Sequence, residues 1–326
     1  MTALFYILLL IVGFLCLIKG ADFFVDGSAA LAKNFKVPGV IVGLTVVAMG
    51  TSAPELAVST SAAIMGSNEI AISNVIGSNI FNILMVLGIC AFLHPVPMDE
   101  VILKRDTPIS IGVIILILTM SGYKVFLDPS LFKSDMLDNV GMISRICGII
   151  LLVSFAVYLI VLVRDALKNP EPEPEEDVIP VWKCFALIIF GIVMIVAGGE
   201  AVVHSAKAIA RMAGMSETLI GLTIVALGTS LPELVTSMVA ARKGETGLAV
   251  GNVIGSCIFN AFLILGVSTA IHPIAVNLAS IYDMLILIAI SILLMLFTVK
   301  KRVLTRVHGI IFVAIYFADV VFAILR

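Results

Sequence analysis

Charge is scarce in this chain. Only 13% of its 326 residues are Asp, Glu, Lys or Arg, and 22 acids against 20 bases leave a formal net charge of −2. That balance excludes a nucleic-acid binder, whose affinity rests on neutralising phosphates with clustered cations. The five cysteines, Cys16, Cys90, Cys147, Cys184 and Cys257, carry no CxxC or Cys/His spacing. They read as free packing residues and exclude a thiolate metal site. Strict apolar/polar alternation is missing, which excludes a membrane β-barrel. Paired Asp, a Ser/His pair or HExxH at suitable positions would be needed for an intramembrane protease, and none occurs. The chain is therefore not expected to be an enzyme. The opening MTALFYILLLIVGFLCLIKG lacks a basic n-region and a small-residue cleavage site, so it reads as a retained first helix.

What fills the space is apolar. Hydrophobic residues make up 61% of the chain and the mean hydropathy is +1.19, against roughly 45–50% apolar usage in soluble domains. Uncharged stretches long enough for a spanning helix recur near 3–24, 38–65, 70–93, 107–123, 145–164, 182–208, 217–241, 246–271, 281–299 and 306–325. The expected fold is an all-α polytopic membrane protein with ten transmembrane helices. With the N-terminus outside, connections on the inner face hold 14 Lys and Arg and those on the outer face 6. The positive-inside rule then places both termini on the outer side of a cell membrane.

One segment cannot span. KNPEPEPEEDVIP, residues 168–180, alternates Pro with Glu and reads as a solvated spacer. Its acidic cluster from Glu171 to Asp177 lacks the Asp/Asn/Gly spacing of a calcium loop. The spacer divides the chain into a first unit, 1–167, and a second, 181–326. No obligatory protein partner or cofactor is evident; the lipid bilayer is the expected surroundings.

The two units share a repeat. Residues 43–88 align with 221–266 without a gap, at an offset of 178, and 26 of the 46 pairs are identical. At the same offset Gly13 matches Gly191, Gly20 matches Gly198, Asp22 matches Glu200, and His94-Pro95 matches His272-Pro273. The copies lie on spans 2–3 and 7–8, five spans apart. An odd shift reverses direction, so the chain is expected to hold two inverted five-helix repeats with a site at their interface.

Each copy places one carboxylate beside a helix breaker. In GTSAPE, Pro54 has no amide hydrogen and its ring clashes with the carbonyl four residues back, so the helix should open near Gly50; GTSLPE repeats this with Pro232 and Gly228. Open turns in hydrocarbon must have their carbonyls satisfied by protein, water or an ion. Carbonyls of Ala48, Thr51, Ala226 and Thr229, hydroxyls of Ser52 and Ser230, and carboxylates of Glu55 and Glu233 form a candidate oxygen cage. Such a cage suits hard cations; Ca2+ takes about 6–8 oxygens. Downstream, NVIGSNIFN and NVIGSCIFN set Ser78 with Asn82, and Ser256 with Asn260, at i and i+4 on one helix face, within reach of the same cavity. Gly77 and Gly255 are expected to allow close helix approach, while Ser59, Ala62 and Ala71 read as packing.

Two mid-span glutamates without a basic partner in either span call for cations or protons as countercharge. Asp22, Asp26, Glu200 and His204 read as snorkelling or capping groups, His94 and His272 as structural, Asp319 as a helix contact and Trp182 as an interfacial anchor.

At these motifs the sequence resembles the prokaryotic sodium/calcium exchangers of the Ca2+/cation antiporter superfamily. The resemblance covers nearly the whole chain, and the paired GTS-x-PE and GS-x-x-F-N repeats are specific. It implies ten spans, four central cation positions, and exchange of several Na+ for one Ca2+ by alternating access, with spans 1 and 6 sliding. Carried over, Glu55 and Glu233 would bind both ions. Ser52, Ser78, Ser230 and Ser256 would serve Na+, the carbonyls of Thr51 and Thr229 Ca2+, and those of Ala48 and Ala226 the Na+ positions. Some members carry Asp where this chain has Asn260, so K+ co-transport is not expected. Proton/Ca2+ antiport through the same two glutamates remains the alternative, because desolvated carboxyls also attract protons.

Overall fold

The computed structural model describes residues 2–66, 68–168, 179–215 and 226–325. Long apolar runs without breakers become long helices: α1 Thr2–Phe35, α2 Gly39–Thr51, α3 Ala53–Ile64, α4 Ile70–Leu93, α5 Ile102–Leu127, α6 Arg145–Lys168, α7 Val181–Met212, α8 Leu231–Arg242, α9 Thr246–Ile271, α10 Leu278–Thr298 and α11 Arg306–Leu325. Eight of these are long and apolar enough to cross a membrane, and α2 with α3 forms one further span bent by 50°. The chain is a multi-pass membrane protein. Of the expected span at 217–241, Ala226–Gly228 and α8 are described. The spacer with its acidic cluster Glu171–Asp177 and the residues 216–225 lie outside the described residues.

Helices α1 and α7 overrun the expected spans because nothing stops them. The first breaker after α1 is Pro38, and α7 runs from its Pro180 N-cap to Met212, two residues before Gly214 turns the chain at positive φ. The polar tail of α1 is partnered: Lys19 pairs with Asp22, while Lys243 reaches Asp22 and Asp26. The two helices pack antiparallel along a seam of small residues. A Cβ at Gly13 would sit 3.0 Å from the Gly198 carbonyl, one at Gly20 2.9 Å from that of Gly191, and one at Gly27 2.9 Å from that of Cys184. Close backbone approach of this kind is what holds helices together in lipid. The outward faces of the pair present Leu4, Ile11, Leu15, Ile189 and Val193.

Two small antiparallel sheets cap opposite ends of the bundle. Strand β1 Val96–Pro97 pairs with β4 Val303–Leu304, and β2 Asn139–Ile143 pairs with β3 Ile274–Asn277. Each sheet takes one strand from either side of the spacer. The bundle interior is built from α2, α3, α4, α8 and α9. Every residue of α9 from Leu248 to Phe259 is buried. His94 and His272 cap the ends of α4 and α9 with extended backbone before a proline, and Trp182 stands exposed at the start of α7.

Candidate cation site

The chain breaks where the prolines require it, two residues earlier than the proline itself. Ser52 leaves helical geometry (φ −84°, ψ 9°) between α2 and α3, and Ser230 does the same (φ −93°, ψ 7°) ahead of α8. Pro54 and Pro232 then stand in the first turn of the new helix, a position that needs no amide donor. Glu55 and Glu233 follow in the same turn, where the exposed amides of the helix N-terminus favour negative charge.

Both carboxylates are fully buried, and each is held by a serine from the opposite unit. The Ser52 hydroxyl donates to Glu233 Oε1 at 2.8 Å and lies 3.0 Å from Ser256 Oγ. The Ser230 hydroxyl donates to Glu55 Oε1 at 3.1 Å and lies 3.0 Å from Ser78 Oγ. Glu55 Oε2, Glu233 Oε2, both amide atoms of Asn82 and Asn260 Oδ1 are buried without a hydrogen-bond partner. Buried polar atoms rarely go unpaired, and bare carboxylate and amide oxygens are ligands of the kind a hard cation takes.

Of the predicted residues, Glu55, Glu233, Ser52, Ser230, Ser78 and Ser256 are brought together directly by these bonds. Asn260 Nδ2 donates to Asn79 Oδ1 at 3.0 Å, and Asn79 Nδ2 donates to the Cys257 carbonyl at 3.1 Å, so α4 and α9 are stitched together beside the cage. The Thr51 hydroxyl approaches Asn252 Oδ1 at 3.0 Å. The Ala48 carbonyl already accepts from the Ser52 amide at 3.0 Å and faces the Thr51 hydroxyl at 3.3 Å. Ala226 starts the short turn that leads to Thr229. Among the described residues no three His, Cys, Asp or Glu side chains cluster.

Sequence reasoning missed a second tier. Asn74 Nδ2 donates to Ser59 Oγ at 2.9 Å and reaches toward the Glu55 carbonyl at 3.4 Å; Asn252 Nδ2 donates to Ser237 Oγ at 2.9 Å and approaches the Glu233 carbonyl at 3.5 Å. These amides brace the broken helices from α4 and α9. Ser59 is therefore a hydrogen-bond partner as well as a packing residue. The repeated Asn of NVIG was the available signal.

The model for sodium/calcium exchanger proteins matches residues 5–164 and 183–325. The chain is 33% identical over 339 residues to the sodium/calcium exchanger MaX1 of Methanosarcina acetivorans, covering 96% of this chain and 97% of that one. It is 36% identical over 313 residues to CaxA of Alkalimonas amylolytica, with 92% and 93% covered. Its structure matches that of the sodium-calcium exchanger NCX_Mj soaked with 10 mM Na+ and 10 mM Sr2+ at a TM-score of 0.82, with 32% identity and 98% of each chain covered. The chain belongs to the sodium/calcium exchanger family. It is a cation-exchanging membrane transporter of the prokaryotic branch rather than an enzyme.

The exchanger carries a cavity of about 690 Å³ on the side of the β2–β3 sheet. It extends from Ser78, Asn74 and Thr229 at the site to the exposed Leu137, and Asp283 of α10 and Asp319 of α11 line its walls. Asp319 thus borders the cavity instead of serving only a helix contact. On the side of the β1–β4 sheet the same depth is filled: Gly251 and Gly255 of α9 pack on Val40, Gly43 and Leu44 of α2 at backbone distance.

Proposed function

We propose that the exchanger moves Ca2+ against several Na+ through one central site offered alternately to the two membrane faces. The observation that carries this reading is the crossed pair of bonds, Ser52 to Glu233 and Ser230 to Glu55, which leaves one bare oxygen on each buried carboxylate. Glu55 and Glu233 bind either ion. The serines Ser52, Ser78, Ser230 and Ser256 serve Na+ with the carbonyls of Ala48 and Ala226, the carbonyls of Thr51 and Thr229 serve Ca2+, and Asn82 and Asn260 complete the wall. A site charge near −2 is balanced by one Ca2+ and exceeded by three Na+, so multi-Na+ exchange is electrogenic.

The architecture behind this is two inverted five-helix repeats, 1–167 and 181–326, joined by the spacer 168–180, with both termini outside. Contacts exchanged at the repeat offset support it: Gly13 meets Gly198 while Gly20 meets Gly191, and 191 − 13 = 198 − 20 = 178. Helices α1 and α7, packed on each other along glycines, are the pair that slides.

The test is radiolabelled Ca2+ uptake into proteoliposomes with Na+, H+ and K+ gradients imposed separately. An outward Na+ gradient should drive uptake without a pH gradient. Uptake driven by a pH gradient in the absence of Na+ would replace Na+ by H+ as the coupling ion.

A further inference from the structure

Asn79 of α4 and Cys257 of α9 are matched by the repeat, since 257 − 79 = 178, and the two buried side chains meet. Each turns a donor to the other's backbone. Asn79 Nδ2 donates to the Cys257 carbonyl at 3.1 Å, and the Cys257 thiol faces the Asn79 carbonyl at 3.9 Å. The thiol thus stands in for the NH2 of a second amide. It has nothing to stand in for the amide's other end, because sulfur is a weak acceptor and brings no carbonyl oxygen.

That missing oxygen separates another matched pair. Asn82 and Asn260, at 260 − 82 = 178, are both fully buried, and each is the first residue of a π-helical turn. Asn260 Nδ2 donates to Asn79 Oδ1 at 3.0 Å, which commits the nitrogen and leaves its Oδ1 bare. For Asn82 the equivalent acceptor would come from position 257, where cysteine stands. Neither amide atom of Asn82 has a hydrogen-bond partner among the described residues.

The two asparagines are therefore unlike in what they can offer. An amide held by its nitrogen shows only its oxygen. An amide held at neither end can turn over, giving its oxygen to a cation or its NH2 to a carboxylate. Leaving a buried amide unpaired is costly, so Asn82 turns to whichever of the two the site then presents.

We propose that Asn79 is a positioning residue of the cation site: it fixes Asn260 with the amide oxygen toward the transported ion, while Cys257 leaves Asn82 free to turn. This rests on the reading that Asn82 and Asn260 wall that site. A fixed oxygen is preorganised, and little is lost in orienting it when the ion arrives. A turning amide is a ligand only for the fraction of time its oxygen faces the ion, and apparent affinity falls by that fraction. Asn260 is the constant ligand and Asn82 the conditional one, although both repeats carry the same residue there.

The test is equilibrium binding of radiolabelled Ca2+ to the purified full chain, with Na+ added as competitor. Asn79→Leu removes the acceptor at similar volume. It should raise the dissociation constant for Ca2+ or for Na+ about tenfold, the change expected when a freed amide faces the ion about a tenth of the time. In an Asn260→Asp background the same substitution should move both constants by less than about twofold, because a carboxylate presents oxygen in either orientation. Equal effects in the two backgrounds would make Asn79 a packing residue and overturn the proposal, as would unchanged constants in Asn79→Leu. Cys257→Asn supplies the missing acceptor and should tighten binding of Ca2+ or Na+ about threefold by holding Asn82, a gain that misfolding does not mimic. Adding Asn82→Asp should abolish the gain. A Cys257→Asn protein that unfolds at the parent's temperature and shows no gain would overturn the freedom assigned to Asn82. Binding needs no coupling ion, so uptake driven by H+ would overturn the functional reading above and leave this comparison standing.

Discussion

Two stretches of nearly the same sequence meet opposite surroundings in this molecule. NVIGSCIFN of α9 is buried at every position, its Gly255 and the preceding Gly251 pressed on α2; in NVIGSNIFN of α4, Gly77 is exposed, and Gly77 and Asn74 face the cavity that reaches Ser78. The polar bonds follow the same division. Thr51 meets Asn252 on the filled side, whereas the matching Thr229 forms no hydrogen bond with Asn74 on the open side. Motif chemistry therefore specifies the site, and the surroundings of each copy specify which face the site opens to. A repeat able to accept either setting is what alternation between two faces requires. The proposed cycle is then an exchange of surroundings between α4 and α9.

The largest expected effect tests whether the halves share one site. Glu55→Gln and Glu233→Gln should each bring Ca2+ uptake to background, and by the same extent, although the two copies stand in different surroundings. Thermal unfolding in detergent should show both variants folded, since Gln keeps the serine bond and removes the burial of charge. Full exchange in either variant would take that carboxylate out of the site. Unequal losses would mean that the copies contribute independently.

The next comparison sets glycine against glycine. A Cβ at Gly255 would come 2.7 Å from Leu44 Cα and 2.8 Å from Ala48 Cβ, whereas among the described residues nothing lies within 4 Å of one at Gly77. Gly255→Ala should cost about 1–3 kcal/mol through overpacking. Gly77→Ala should be neutral or gain up to about 1 kcal/mol from helix propensity. The expectation that both glycines serve close approach holds for Gly255 in this state and not for Gly77. Equal unfolding midpoints for the two variants would show that the α2–α9 contact is not what closes this side.

These contrasts mark how far the sequence is legible. The broken helices, the two carboxylates and the four serines stand out because proline and glutamate in apolar sequence have few interpretations and occur twice. Helix ends are less visible: α1 runs to Phe35 with its Asp22 and Asp26 partnered by Lys243, far away in the sequence. The π-helical turns Gly43–Val47, Asn82–Val86 and Asn260–Ile264 leave no trace in hydrophobic periodicity, since one slipped hydrogen bond does not change which residues are apolar. The braces Asn74 and Asn252 belong to the repeat, yet an amide shows its role only when the opposing Ser59 or Ser237 is known. The partly buried Arg105–Asp106–Tyr158 network is tertiary in the same way, with Tyr158 donating to Asp106 Oδ1 at 3.1 Å from another helix.

The smallest effect concerns what favours the filled side. Lys243, just beyond α8, reaches Asp26 Oδ1 at 2.8 Å and Asp22 Oδ1 at 3.3 Å on α1, tying the pair proposed to slide to the broken helix. At the offset of 178 these positions are Met65, His204 and Glu200, so the open side has a methionine where the filled side has its cation. Lys243→Met makes the two sides alike in this respect. The pair is partly exposed, so screening limits it to about 1 kcal/mol, or about a fivefold change in the ratio of the two states. In a chain freed of its native cysteines, a cysteine at Ser237 should be labelled from the β1–β4 side by an impermeant maleimide about fivefold faster in the Lys243→Met background. High salt should produce the same acceleration in the parent and little more in the variant, because the ion pair is what salt weakens. Labelling that ignores both the substitution and the salt would leave the glycine packing of α9 on α2 as the sole restraint on this face.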